Sequence, residues 1–133
     1  MNIWDKMLVN AKKVQNKRSV SPFIDAGSVE AAILTDTEKI YVGVSIDTSS
    51  SLGMCAERNA IANMITNGES RIKKVLAVMS DGKVGPPCCA CREYLMQLDK
   101  NSKNIEVLMN YDPLEINTLG ELCPSWWTDS KFD

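Results

Sequence analysis

Two short segments decide the fold and the chemistry of this chain: Cys55-Ala56-Glu57-Arg58-Asn59-Ala60-Ile61 and, further along, Pro87-Cys88-Cys89-Ala90-Cys91-Arg92-Glu93. Each segment places thiols at the predicted start of a helix that follows a strand. The C-x2-C spacing of Cys88 and Cys91 lets two sulfurs converge on one ion, and Cys55 can supply a third. Three protein ligands leave a fourth tetrahedral position for water, as in catalytic zinc sites. The two segments therefore predict a catalytic zinc centre.

Charged residues surround the predicted ligands. Three thiolates around Zn²⁺ leave an excess negative charge, which weakens the ion as a Lewis acid unless a positive group offsets it. Arg58 or Arg92 is close enough in sequence to do so; otherwise both are surface arginines. Glu57 follows Cys55 closely enough to reach the open coordination position without being a ligand, which suits a proton shuttle. The plainer alternative for Glu57 is a glutamate that stabilises the helix N-terminus.

Composition excludes several classes of function. The length of 133 residues fits a single domain over residues 1–133, and 44% hydrophobic residues can fill a core. A net charge of -2 argues against nucleic acid as a partner, because phosphate binding relies on clustered Lys and Arg. The chain has no histidine, which removes Ser-His-Asp triads and every His-containing metal site.

The cysteine count indicates the compartment. Five cysteines without a secretory segment favour a reducing compartment, so we expect a cytoplasmic protein. No apolar run is long enough to predict a membrane span or a membrane partner. Of the two cysteines left over, Cys89 should point away from the ion. Cys123 is either a small buried hydrophobe or the fourth ligand of a structural site.

Hydrophobic periodicity predicts three helices and five strands. The first helix carries an apolar stripe at helical spacing, and the other two each begin at a cysteine segment. The stripe consists of Trp4, Met7, Leu8, Ala11 and Val14, and the other helices cover residues 55–68 and 88–98. The strands are expected at residues 29–34, 40–45, 75–79, 105–109 and 114–117. Proline and glycine predict loops at residues 19–27 and 80–87.

The order of these elements predicts a three-layer α-β-α fold around a five-stranded mixed sheet. The turn at residues 35–39 is short, so the strands it joins should pair antiparallel. The turn at residues 111–113 is also too short for a parallel crossover, which makes the last two strands antiparallel. Both cysteine segments then lie at one edge of the sheet, where ligand sites of open α/β sheets are found.

At its two motifs the chain resembles the cytidine deaminase family, in particular the small enzymes that act on free nucleosides, with blasticidin-S deaminases as close relatives. The two cysteine segments look like the family's paired zinc motifs, with Cys89 where glycine is usual. Glu121-Leu122-Cys123-Pro124 resembles the family's Leu-Leu-Pro near the end of the chain. With gaps, the likeness runs over most of the chain from the first strand onward.

The resemblance implies a site and an assembly. It implies zinc on Cys55, Cys88 and Cys91, with Glu57 as the acid/base and Arg58 as the donor to a ligand sulfur. It also implies a small-molecule nucleoside substrate and a homotetramer in which neighbouring subunits complete each site. Among the residues that would contact the substrate we name Ser45, Asp47, Ala56, Trp126 and Trp127.

Substrate recognition is where the chain departs from the family pattern. Ser45-Ile46-Asp47 stands where cytidine deaminases carry the Asn-x-Glu that binds ribose, so both side chains are shorter. Glu30, on the first predicted strand, is either a new polar contact or an outward-facing residue. Trp126 and Trp127 either close the site, as C-terminal aromatics do in relatives, or pack at a subunit interface.

These features predict hydrolytic deamination of a free cytidine- or deoxycytidine-type nucleoside, a reaction of pyrimidine salvage. The altered ribose positions favour, as an alternative, a different aminopyrimidine nucleoside such as the antibiotic blasticidin S. A zinc-stabilised binding module without catalysis is the alternative from another class.

Overall fold

A computed structural model describes all residues of the chain, 1–133. It contains seven strands and four α-helices, with short 3-10 turns in three of the connections and ends. The strands are β1 (Arg18–Ser21), β2 (Ile24–Thr35), β3 (Ile40–Thr48), β4 (Ile72–Val78), β5 (Val84–Gly85), β6 (Glu106–Asn110) and β7 (Glu115–Thr118). The helices are α1 (Ile3–Lys13), α2 (Ala56–Thr66), α3 (Cys89–Met96) and α4 (Leu119–Leu122).

All strands belong to one mixed sheet. Its five-stranded core has the order β3-β2-β4-β6-β7, in which β4 and β6 run parallel and every other neighbouring pair is antiparallel. This confirms the mixed sheet and the antiparallel pairing of the last two strands. The short turn after β2 closes as expected, with the Thr35 N–H donating to the Lys39 carbonyl at 2.8 Å.

The sheet has seven strands rather than the predicted five, because the segments expected to be loops each contain a short strand. β1 forms a hairpin with the start of β2, and Pro22 lies in the turn between Ser21 and Ile24. Gly27 has a φ of 84° where the register of β2 shifts against β3, so it marks a bulge inside a strand. β5 pairs with the end of β4. Turn and bulge residues were thus misinterpreted as loop residues.

Helices cover both faces of the sheet, which gives the predicted three layers. On one face α1 buries Trp4, Met7 and Ala11 against alternate residues of β2 and β4. On the other face α2 and α3 pack over the remaining residues of the same strands, and α4 closes this second cluster. No helix combines the length and apolar character needed to cross a bilayer.

Helix α2 lies very close to the sheet where it crosses the edge strand β3. A Cβ placed on Gly43 would lie 2.3 Å from the Ala60 nitrogen and 2.6 Å from the Ala56 carbonyl oxygen. Only glycine fits at this position, because any larger residue would meet the helix backbone. The contact brings the first turns of α2 directly beside the middle of β3.

Candidate functional site

Three thiols meet at the N-termini of α2 and α3. Cys55 is the N-cap residue of α2, Cys88 is the N-cap residue of α3, and Cys91 lies in the first turn of α3. The Cys55 and Cys88 sulfurs are 3.7 Å apart, and those of Cys88 and Cys91 are 3.6 Å apart. All three sulfurs lie within 4.8 Å of one another. The helix N-termini favour negative charge, so they suit thiolates.

The thiol cluster has the dimensions of a zinc site. A Zn–S bond of about 2.3 Å and tetrahedral angles separate two ligand sulfurs by about 3.8 Å, close to the distances between these thiols. Thiolate donors favour Zn²⁺ over Mg²⁺ or Ca²⁺, which prefer oxygen ligands. The residues present therefore fit a zinc ion held by three cysteines.

The two candidate arginines have different partners. Arg58 donates a hydrogen bond from Nη2 to the Cys55 sulfur at 3.5 Å. Its Nε is buried and has no hydrogen-bond partner. Arg92 instead donates from Nε to the Pro87 carbonyl at 2.8 Å. Arg58 is thus the positive group that contacts the thiols.

Glu57 lies in the first turn of α2 and is buried, with only 4% of its surface exposed. Burial raises the pKa of Glu57 above the usual value for a glutamate, although the nearby Arg58 charge opposes the shift. Burial disfavours the charged carboxylate, so this side chain holds a proton more readily than an exposed glutamate does. The buried carboxyl group lies in the wall of the cavity described below.

The thiols differ in their affinity for protons. Burial, followed by the negative charge of Glu57, raises the pKa of Cys91. Burial also acts to raise the pKa of Cys88, but hydrogen bonds from the Cys91 backbone and the neighbouring thiols outweigh it and lower the pKa. Without a metal, the cluster therefore carries fewer than three thiolates at neutral pH.

A cavity of about 420 Å³ opens beside the thiols. Its wall includes Cys55, Glu57 and Cys88 together with three of the residues expected to contact substrate, namely Ser45, Asp47 and Ala56. The remaining lining residues are Ser28, Val29, Ile46, Gly53, Met54, Arg58, Met79 and Pro86. The structure thus gathers the thiols, the buried carboxyl group and the β3 residues around one cavity.

Two features distinguish the β3 wall of this cavity. The Ser45 hydroxyl accepts a hydrogen bond from the Val29 N–H at 3.0 Å and so fixes the bulge in β2. Asp47 pairs directly with Asp25 on β2, which places two carboxylates on one face of the sheet. Asp47 lines the cavity while Asp25 does not, and neither carboxylate forms an ion pair.

Trp126 and Trp127 do not line this cavity. Both indole N–H groups donate to the Glu93 carboxylate at 3.1 Å, and Trp126 also stacks on Phe132. They border a separate cavity of about 290 Å³ that also contains Cys89 and Cys123. Within one chain, the C-terminal aromatics and these two cysteines are therefore outside the thiol site.

Glu30 lies on the opposite face of the sheet from the thiols, beneath α1. It is 1% exposed, and its Oε1 has no hydrogen-bond partner. The outward-facing alternative is therefore wrong, and Glu30 is not among the residues that line the cavity. Sequence reasoning also missed Met79 and Pro86 as cavity walls. Met79 directly follows the central strand β4, and that position was the available signal, because ligands bind at such strand ends.

The chain matches known proteins along most of its length. Residues 2–107 match the family model described as "Cytidine and deoxycytidylate deaminase zinc-binding region". A cytidine deaminase of Sporosarcina psychrophila is 32% identical over 123 residues, which cover 90% of this chain and 88% of the relative. A cytidine deaminase of Mycoplasma genitalium is 29% identical over 108 residues, or 80% of this chain and 82% of the relative.

Solved structures show the same architecture. The cytidine deaminase of Mycobacterium leprae superposes with a TM-score of 0.76 at 22% identity, covering 94% of this chain and all of its own. The cytidine deaminase of Burkholderia pseudomallei gives a TM-score of 0.72 at 25% identity, covering 94% of this chain and 98% of its own. With the family match and the three-thiol cluster, these likenesses lead to one conclusion: the chain belongs to the cytidine and deoxycytidylate deaminase family of zinc-dependent deaminases.

Proposed function

We propose that this chain hydrolyses the exocyclic amine of a free cytidine- or deoxycytidine-type nucleoside, giving the uridine-type product and ammonia. The observation that carries the proposal is the buried Glu57 carboxyl group, which shares the wall of one cavity with two of the three clustered thiols. A cavity of about 420 Å³ suits a small molecule of nucleoside size.

Cys55, Cys88 and Cys91 would hold the zinc ion. When bound there, zinc would supply Lewis-acid activation of water for attack on the ring carbon that carries the amine. Arg58 would offset the excess negative charge of three thiolates through its hydrogen bond to the Cys55 sulfur. The remaining chemistry is proton transfer, which falls to the protein.

Glu57 is the proposed catalytic acid and base. Its carboxylate takes one proton from the attacking water and delivers it to the ring nitrogen, and it then takes the remaining hydroxyl proton and delivers it to the leaving amine. The ring loses ammonia and gains a carbonyl oxygen, so one water molecule is consumed for each ammonia released. Burial in the cavity wall excludes bulk water and keeps the proton within the site.

The β3 wall is the proposed sugar subsite. The Ser45 hydroxyl accepts from the Val29 N–H and still has its own proton to donate to a substrate oxygen. The exposed Asp47 carboxylate can accept hydrogen bonds from sugar hydroxyl groups. Ala56, at the first position of α2, has no polar side chain and leaves room for the flat pyrimidine ring between β3 and the thiols.

A second substrate class is favoured by the pairing of cavity residue Asp47 with another aspartate. Asp25 and Asp47 are direct cross-strand partners without a cation. Like charges in this arrangement destabilise a sheet, and a positively charged substrate group would relieve the repulsion. An aminopyrimidine nucleoside with a cationic substituent, such as blasticidin S, is therefore the second candidate.

We further propose that the chain acts as a homotetramer in the cytoplasm, in pyrimidine salvage. Large apolar side chains remain exposed in the single chain: Phe23 at 69%, Leu52 at 79% and Trp127 at 72%. Leu52 adjoins cavity residue Gly53, and the Phe23 carbonyl accepts from the Ser49 N–H in the same loop. A neighbouring subunit would cover such a patch. Five free thiols suit a reducing compartment.

Ammonia release from a panel of substrates tests the proposed function. The panel contains cytidine, deoxycytidine, cytosine and blasticidin S, with zinc-loaded protein and the Glu57→Ala variant as the blank. We expect turnover of cytidine or deoxycytidine. Turnover of blasticidin S alone would show that the second substrate class is the correct one. If none of the four compounds releases ammonia and removal of zinc unfolds the chain, the protein is a zinc-stabilised binding module.

The proposed tetramer is tested by light scattering, and a mass of four times the chain mass would support it.

A further inference from the structure

The side chain of Asn59 joins the two walls of the cavity. Its Nδ2 donates to the Val44 carbonyl at 2.7 Å, directly before Ser45 on β3. The same nitrogen lies 3.5 Å from the Met54 carbonyl, directly before Cys55. One amide therefore contacts the backbone next to the proposed sugar subsite and the backbone next to a thiol of the metal cluster.

These bonds satisfy the free edge of the sheet. β3 pairs only with β2, so the carbonyls on its other side have no strand partner. Ile46 completes that edge by a two-way bridge with Met54, with both N–H···O distances at 2.9 Å. Asn59 caps the next carbonyl along the edge, and Asn63 caps the one after, with a 3.3 Å bond to Val42.

Two contacts fix the distance between helix α2 and strand β3, one by limiting how far apart they can lie and one by allowing close approach. Gly43 allows the backbone of α2 to lie directly on β3, since a Cβ there would clash with Ala56 and Ala60. Asn59 prevents the helix from moving away, because its short side chain reaches Val44 only at close approach. The spacing between Glu57 on the helix and Ser45 on the strand therefore depends on the glycine contact and the amide bond together.

We propose that Asn59 is a positioning residue that holds Glu57 and Cys55 at a fixed distance from the β3 wall. Its expected effect on catalysis rests on the proposed function. Asn59 is not among the residues that line the cavity or form the thiol cluster. A misplacement of about 1 Å between reacting groups can cost roughly a hundredfold in rate. Partners that orient metal ligands are worth about 10- to 100-fold in metal affinity or activity.

The test compares Asn59→Ala with Asn63→Ala in the zinc-loaded protein. Both variants lose an amide bond from α2 to an edge carbonyl of β3, so both should melt a few degrees lower. Only Asn59→Ala should lower kcat/KM by about 10- to 100-fold, with a raised KM as well as a reduced kcat. Chelator competition should show zinc binding weakened about tenfold in Asn59→Ala and unchanged in Asn63→Ala.

Equal effects of the two variants on kcat/KM and zinc affinity would overturn the proposal and leave Asn59 a purely structural residue. If Asn59→Ala does not fold, Asn59→Asp keeps the shape without the N–H donor and is subject to the same comparison. The zinc measurement separates this proposal from the proposed function. A wild-type chain that releases no ammonia would refute the function, while zinc affinity would still decide the role of Asn59.

Discussion

The Arg58 guanidinium donates a hydrogen bond to the Cys55 sulfur at 3.5 Å, while its Nε remains buried without a partner. The arginine lies one helical turn after the cysteine on α2, so the helix itself places the positive charge beside the thiol cluster. A site with three anionic ligands thereby receives a compensating charge from the same element that supplies one of those ligands.

Loss of that charge should weaken metal binding. We expect Arg58→Ala to lower zinc affinity by about 10- to 100-fold, because thiolates without a donor repel one another more strongly. Arg71→Ala, which removes an exposed arginine paired with Asp99, is the matched control and should leave zinc affinity unchanged. Competition with a chromophoric chelator measures the zinc affinity of both variants. Equal affinities for the two variants would remove Arg58 from the metal site.

Neighbouring cysteines should differ sharply in their contribution to metal binding. Cys88 belongs to the thiol cluster, whereas its neighbour Cys89 lines a separate cavity with Cys123. We expect Cys88→Ser to lose stoichiometric zinc and Cys89→Ser to retain it, since only one of the two sulfurs faces the other ligands. Zinc content by atomic emission checks this. Retention of one zinc per chain in Cys88→Ser would contradict the assignment of the ligands.

Zinc binding should release protons near neutral pH. Burial raises the pKa of Cys91, so this thiol holds its proton in the metal-free chain and must lose it to bind as a thiolate. Affinity should therefore rise with pH and fall as the solution becomes more acidic. Calorimetric titrations in two buffers of different ionisation enthalpy measure the protons released. Binding heats that do not depend on the buffer would show that the thiols are already deprotonated.

The close contact between β3 and α2 should not tolerate a methyl group. We expect Gly43→Ala to destabilise the fold by about 1–3 kcal/mol, because the new Cβ would overlap the backbone at Ala60. Gly85→Ala is the control, since its Cβ would meet only the flexible Met79 side chain. Denaturant unfolding measures both free energies. A Gly43→Ala variant as stable as the wild type would show that the helix can shift without cost.

Much of the site followed from local sequence. The C-x2-C pair and the cysteine before Glu57 lie at helix N-termini, where spacing alone brings sulfurs together. The short turns between strands likewise determined which pairs are antiparallel, because a chain of that length has no other path. Such features depend on a few consecutive residues, so they can be predicted from the local sequence.

Features that depend on contacts between distant residues could not be predicted from the sequence. The sequence-based expectation for residues 19–27 failed because Pro22 and Gly27 mark a turn and a bulge only once β2 has a partner. Trp126 and Trp127 pack on Glu93, a contact that no spacing rule predicts. The role of Asn59 depends on how closely α2 lies on β3, which emerges only from the packed structure.

Glu57 is the residue on which the proposed chemistry depends most. We expect Glu57→Gln to bind zinc normally but to deaminate at least about 100-fold more slowly, because the amide cannot exchange protons with substrate. Thermal melting and zinc content serve as controls for folding and metal loading. A variant with wild-type rates would show that another group transfers the proton.

Zinc-dependent deamination is tested by measuring the activity of one preparation before its metal is removed, after removal, and after the metal is restored. Cytidine and deoxycytidine are offered to the zinc-loaded chain, to the chelator-stripped chain and to the stripped chain after titration with zinc. We expect ammonia release to disappear with the metal and to return in proportion to zinc bound, up to one ion per chain. Ammonia release from the metal-free protein, or no release from the fully loaded protein, would show that the chain is not a zinc-dependent deaminase of these nucleosides.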